Sequence, residues 1–97
     1  MPIKVIVELQ AKPGRRDELE AVIEAITATH GPGQRGYLGS TRYEVPDNPD
    51  MLIEIAEWES AEARMAHMRE AAAAGVYAPV VELLAAPFRA TVICALR

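Results

Sequence analysis

The sequence is poor in the residues that build most metal and cofactor sites. It has one cysteine, Cys94, and two histidines, His30 and His67, too few for a disulfide within the chain or a credible zinc or iron cage. No Gly-x-Gly-x-x-Gly follows an apolar run and no phosphate-binding loop appears, so the sequence supplies no site for a nucleotide cofactor. None is expected. Basic charge is also short: 10 Lys and Arg stand against 14 Asp and Glu, for a formal charge of −4. With no basic block to meet phosphates, nucleic acid is not an expected partner. Long apolar runs are missing too. Ile3 to Leu9 is interrupted by Lys4 and Glu8, and the Ala-rich stretch from Ala71 to Ala86 contains Pro79 and Glu82. Neither is expected to enter a membrane, and a cytoplasmic location is the default. Cys94 lies in an apolar run and reads as a buried, inert thiol.

What is present suits one soluble domain over residues 1–97, because 97 residues with 51% hydrophobic content build a single core. A domain of this size buries only about two-thirds of its unfolded surface, so association with a second copy adds useful stability. Ile3, Val5, Val7 and Leu9 alternate with polar residues, the period of a strand. Pro13-Gly14 ends it. Leu19, Val22, Ile23 and Ile26 then recur at helical spacing, with Asp17 and Glu18 favouring the first turn and a stop expected at His30-Gly31-Pro32. Runs from Gly36 to Val45 and from Met51 to Glu59 flank the turn formers Pro46 to Asp50 and read as a hairpin. Ser60 can cap a second helix to about Ala74, Gly75 interrupts it, and Pro79 opens a short turn through Leu84. Phe88 to Leu96 reads as the last strand. Strand, helix, hairpin, helix, strand is the order of an α+β, ferredoxin-like split βαβ fold with a four-stranded antiparallel sheet and both main helices on one face. Ile6, Ile53 and Ile55 then fall on the uncovered face, for which a second sheet is the natural cover.

Glu57-Trp58-Glu59-Ser60, followed by His67, resembles the Trp-Glu-Ser…His segment of the antibiotic biosynthesis monooxygenase family. Pro13-Gly14, Gly36 and Asp47-Asn48-Pro49 fall in the order that family shows, so the resemblance covers nearly the whole chain. It implies a dimeric α/β barrel, a homodimer whose two sheets pack face to face, and cofactor-independent oxygenation of a small aromatic substrate by O₂. The sequence also departs from the family. Arg35-Gly36-Tyr37 and Ser40 stand where the family often has Pro-Gly-Cys and a later Tyr. Glu54 and Arg64 stand where polyketide-hydroxylating members have Asn and Tyr. The haem-degrading branch has Asn, Trp and His at the positions of Val7, His67 and Tyr77, so haem degradation is not expected.

Oxygenation without a cofactor suits a phenol, quinol or anthrone, whose ionised form is electron-rich enough to reduce O₂. The protein then needs a base, an aromatic wall and exclusion of water. His67 is the candidate base, since imidazole titrates near neutrality. Against this, it lies off the Ala61-Met65-Met68-Ala72 stripe, and a solvated histidine is the alternative. Trp58 is the candidate wall, sharing a strand face with Ala56 and Glu54; plain core packing is the alternative. Glu54 needs a partner or a pocket if buried. Arg42 supplies the partner if the hairpin sets residue 42 opposite residue 54, and either residue could instead contact substrate. Arg64 is a substrate contact or a solvated helix residue. Tyr77, like Tyr37 and Tyr43, can donate a phenolic hydrogen bond or simply pack. The expected function is a homodimeric, cofactor-independent monooxygenase acting on a quinol, anthrone or polyketide-type molecule. The rival is a non-oxidative or non-catalytic dimeric barrel that binds a small hydrophobic ligand.

Overall fold

The computed structural model describes residues 2–30 and 33–96. Its elements are β1 (Ile3–Gln10), α1 (Arg16–His30), β2 (Tyr37–Val45), β3 (Asn48–Trp58), α2 (Ala61–Ala74), α3 (Ala78–Glu82) and β4 (Arg89–Ile93). The strands form one antiparallel sheet in the order β2-β3-β1-β4, the ferredoxin-like α+β arrangement expected from the sequence. The stop foreseen at Gly31-Pro32 lies outside the described residues; α1 runs as far as His30.

Alternation along β1 buries Ile3, Val5 and Leu9 on the helix side and turns Lys4 outward. β3 pairs with it so that Leu52 faces Leu9, Glu54 faces Val7, Ala56 faces Val5 and Trp58 faces Ile3. The opposite face carries Ile6 beside Ile55, with Ile53 next to Glu8. The hairpin turn is tighter than the cluster Pro46 to Asp50 suggests. Asn48 already pairs with Val45, and its side chain explains why. Its Oδ1 accepts from the Asp50 N–H at 3.3 Å, and its Nδ2 donates to Gln10 Oε1 on β1 at 3.0 Å.

The last strand is shorter than expected, five residues from Arg89 to Ile93, and exposed throughout. β4 is an edge strand, paired on one side only, and α1 and α2 pack over β3 instead. Cys94 follows it and is exposed in the single chain. The buried thiol expected from its apolar neighbours is therefore corrected: Cys94 follows an edge strand that is exposed along its whole length.

Ser60 caps α2 through its hydroxyl, which accepts from the Ala63 N–H at 3.1 Å. Gly75 ends the helix in the left-handed conformation at φ 67°, where its N–H reaches the carbonyls of Ala71 and Ala72, a position that glycine fills without strain. The buried face of α2 is not the stripe expected from Ala61, Met65, Met68 and Ala72. Ala71 is the buried residue, with Ala63, Arg64, His67 and Met68 half-buried, while Met65 is 47% exposed. Alanines spread around the whole helix leave too little apolar contrast for the periodicity to choose a face.

The core consequently forms two clusters. One joins Leu9, Leu19, Ile23 and Leu52 to Val80, Leu83 and Leu84 of the α3 region. The other joins Ile3, Val5, Ala56 and Trp58. Val7 packs against both. Leu19 is completely buried, and burial of such a side chain contributes about 1.5 to 3 kcal/mol.

Gly36 sets how closely the start of β2 approaches α2. Its φ is +80°, and a Cβ there would sit 2.5 Å from the Ala63 Cβ. Its carbonyl also accepts from the Glu59 N–H at 2.8 Å. Gly36→Ala is expected to destabilise the protein by about 2 to 4 kcal/mol in urea unfolding, from left-handed strain plus overpacking. Gly14 has φ +76° but open space around it, so Gly14→Ala should cost only about 1 to 2 kcal/mol. Equal losses at the two positions would contradict this packing.

Candidate active site

Between α2 and the sheet lies a cavity of about 140 Å³, to which α2 contributes Arg64, His67 and Met68. Its floor is Val5, Val7, Ala56 and Trp58, and α1 contributes Ile23 and Ile26. Phe88 and Ala90 border it on the exposed β4 side. The polar groups on this apolar surface are few, chiefly Glu54, Arg64, His67 and Tyr77, with His30 and Gln34 from the α1 end.

Three aromatic rings and an imidazole form a chain across the cavity. Tyr37 and Trp58 have ring centres 5.2 Å apart, as do Trp58 and His67, the latter pair tilted by 37°. His67 Nε2 lies 2.9 Å from the Tyr77 hydroxyl, a hydrogen bond between α2 and the residue that precedes α3. Tyr37 donates its own hydroxyl to Ser40 Oγ at 2.8 Å. The solvated alternative for His67 is thus set aside, and Trp58 is both core and cavity wall at 5% exposure.

Glu54 is held on the cavity wall by Arg42, which sits opposite it in the β2–β3 register. Arg42 Nε donates to Glu54 Oε2 at 3.3 Å, its Nη2 donates to Thr27 Oγ1 at 3.1 Å, and its Nη1 reaches Glu24. With its donors thus engaged, Arg42 stands behind Glu54 and does not border the cavity. Arg64 does border it, half-buried, and makes no ion pair among the described residues. Tyr43 is exposed on the far face of the sheet. Tyr37, which the sequence left open between a phenolic donor and a packing residue, pairs with Trp58 and lines the cavity; a register shift between Tyr37 and Gly39 hid which way it points. His30, read as a helix-end cation, also lines the cavity.

The electrostatics keep the dyad neutral near neutral pH. Burial pushes the His67 pKa below its ordinary value; Glu70 opposes this, while His30 and Arg64 add to it. Burial pushes the Tyr77 hydroxyl up, helped by Glu54 and Tyr37 and opposed by Arg64. Glu54 is also raised by burial, against the pull of the Arg42 charge and hydrogen bond. A neutral imidazole bound to a neutral phenol can accept one proton in total and hold it against the Trp58 ring, which favours a cation on its face. Among the described residues no group of His, Cys, Asp or Glu side chains is close enough to hold a metal ion, and no helix is long and apolar enough to cross a membrane.

Comparison with known proteins fits this architecture. The family model described as antibiotic biosynthesis monooxygenase matches residues 2–77. Among solved structures, Rv0793 from Mycobacterium tuberculosis is 26% identical with a TM-score of 0.82, covering 100% of this chain and 97% of its own. SnoaB, a cofactor-independent oxygenase from Streptomyces nogalater, is 16% identical with a TM-score of 0.83, covering 99% of this chain and 94% of its own. A conserved protein from Methanosarcina mazei Go1 is 18% identical, with a TM-score of 0.82 and coverage of 96% and 91%. No curated protein matches the chain.

The depressed His67 pKa has a measurable consequence. The folded state binds its proton less readily than the unfolded chain, whose imidazole titrates near 6.5. The stabilisation is therefore complete above that pH and is lost as pH falls through the folded-state value. Melting temperatures measured downward from neutrality should fall more steeply for the wild type than for His67→Gln. Parallel curves would contradict burial of a neutral imidazole.

Proposed function

The chain belongs to the antibiotic biosynthesis monooxygenase family, and on that premise we propose that it is a cofactor-independent monooxygenase acting on a small phenolic aromatic, such as a quinol or anthrone. The observation that carries this reading is the His67–Tyr77 pair set against Trp58 in an apolar cavity. The substrate ring lies along Trp58, and its acidic proton passes to the neutral dyad with His67 as the final base. The electron-rich anion then reduces O₂: one oxygen atom bonds to the ring carbon and becomes a carbonyl oxygen, the other leaves as water with the two hydrogens the substrate loses, and the substrate, which supplies all four electrons, ends as a quinone. Arg64 lowers the potential cost of an anion beside it, and the apolar walls keep water from the reacting carbon. Glu54, fixed by Arg42, bounds the far wall of the site.

The working form is a homodimer in the cytoplasm, closed through the sheet face that the helices leave bare. Ile6, Ile53 and Ile55 are only half-buried there, and Tyr43 is 49% exposed beside them. Contiguous apolar surface of this kind marks an interface. Light scattering at micromolar concentration should give twice the chain mass, and Ile55→Asp should give monomers. A wild-type monomer would contradict the dimer.

A second reading rests on Glu54 and Arg64, which stand where polyketide-hydroxylating relatives have Asn and Tyr: a barrel that binds a small hydrophobic ligand without oxidising it. Oxygen uptake with a panel of quinols and anthrones in metal-free buffer separates the two. The monooxygenase consumes O₂, and His67→Ala lowers turnover by about 10²- to 10⁴-fold with little change in affinity. Binding without uptake across the panel would favour the second reading.

A further inference from the structure

We propose that Tyr77, and not His67, is the catalytic residue that touches the substrate, and that its hydroxyl relays the substrate's proton to His67. The proposal rests on the phenolic reading of the cavity given above. It follows from what the 2.9 Å hydrogen bond between His67 Nε2 and the Tyr77 hydroxyl leaves free.

A neutral imidazole has one N–H and one lone pair. If Tyr77 donates, the Nε2 lone pair is already occupied and cannot meet a substrate proton. If Nε2 donates, the lone pair lies on Nδ1 and Nε2 has none to offer, so the relay runs through the tautomer in which Tyr77 donates. In both tautomers the ring nitrogen that faces Tyr77 communicates with a ligand only through the Tyr77 oxygen. That oxygen retains acceptor capacity, because a phenolic hydroxyl both donates and accepts. Both side chains border the same cavity, so a phenol seated on Trp58 can donate to the Tyr77 oxygen while Tyr77 donates to His67.

The step balances. The substrate O–H bond breaks and its electron pair stays on the substrate. That proton forms the new Tyr77 O–H bond, and the former Tyr77 proton forms the N–H bond on Nε2. The products are a substrate anion, an unchanged neutral tyrosine and an imidazolium. The ionisable groups around the relay are arranged for this outcome. Arg64 favours the substrate anion and Glu70 the imidazolium, which lies against Trp58, while burial, His30 and Arg64 oppose the imidazolium, so the proton is held only while the anion stays beside it. Glu54 and Tyr37 act on Tyr77 in the other direction, holding its proton on so that it transmits charge without keeping it. A relay through a tyrosine that never ionises for long needs that resistance.

The probe is 4-nitrophenol, a single ring suited to a cavity of about 140 Å³, whose phenolate absorbs visible light. Absorbance titrations of the bound probe give its apparent pKa, and fluorescence quenching of Trp58 gives its affinity. In the wild type the bound probe should ionise about one pH unit or more below the free probe. Tyr77→Phe keeps the ring and should abolish that shift, with affinity for the un-ionised probe at acid pH lowered by about two- to tenfold, the effect of losing one ligand hydrogen bond. His67→Gln should abolish it as well. A shift that survives in Tyr77→Phe but disappears in His67→Gln would overturn the relay, since the histidine would then meet the phenol itself. Absence of a shift in the wild type, or of binding, would overturn it too. Oxygen plays no part in the readout. A protein that shifts the probe but never consumes O₂ would refute the monooxygenase reading and leave the relay standing.

Discussion

The whole site depends on the one side of α2 that carries long polar and thioether side chains. Capped by Ser60 at one end and ended by Gly75 at the other, the helix presents Arg64, His67 and Met68 to the cavity. The flanking regions are well packed: Leu19 and Val5 are essentially inaccessible on either side. Two dense clusters therefore hold apart a space that neither occupies, and Val7 joins them across its floor.

Into that space the fold directs polar groups that would otherwise be costly to bury, and each is matched to a partner before any ligand arrives. Glu54 is answered by Arg42, which is itself held from three sides by β3 and α1. His67 is answered by Tyr77. The two pairings differ in kind. The ion pair is fixed, because removing one partner leaves a desolvated charge. The neutral hydrogen bond can accept a proton and pass it on, because neither partner carries charge at rest. Arg64 is the exception: a half-buried cation at the cavity with no acid paired to it among the described residues. Its field favours whatever anion forms inside.

Much of this fold was legible in the residues. Alternation in Ile3 to Leu9, the turn formers after Val45, Ser60 and Gly75 locate the first strand, the hairpin and both ends of α2, with the start of β3 and the end of β4 each three residues off. The Arg42–Glu54 pair was foreseen for one register of the hairpin, which the sequence did not choose and the structure adopts. What the sequence hid has physical causes. The buried face of α2 was misassigned because alanine is nearly indifferent to burial, so its helical wheel has no strong direction. Cys94 was misplaced because an apolar run signals burial only where an element lies over it, and β4 is a bare edge. The His67–Tyr77 contact joins residues ten apart across a glycine-terminated helix and a turn. No periodicity encodes such a contact; it exists only once Gly75 reverses the chain.

The central claim is that an apolar cavity holding a neutral proton acceptor is sufficient to oxygenate a phenolic ring. Mass analysis of the product formed under isotopically labelled O₂ in metal-free buffer tests it most directly. The account predicts one labelled oxygen atom in each product molecule, with the other recovered in water. Product that carries no label, with the labelled oxygen recovered as hydrogen peroxide, would contradict it.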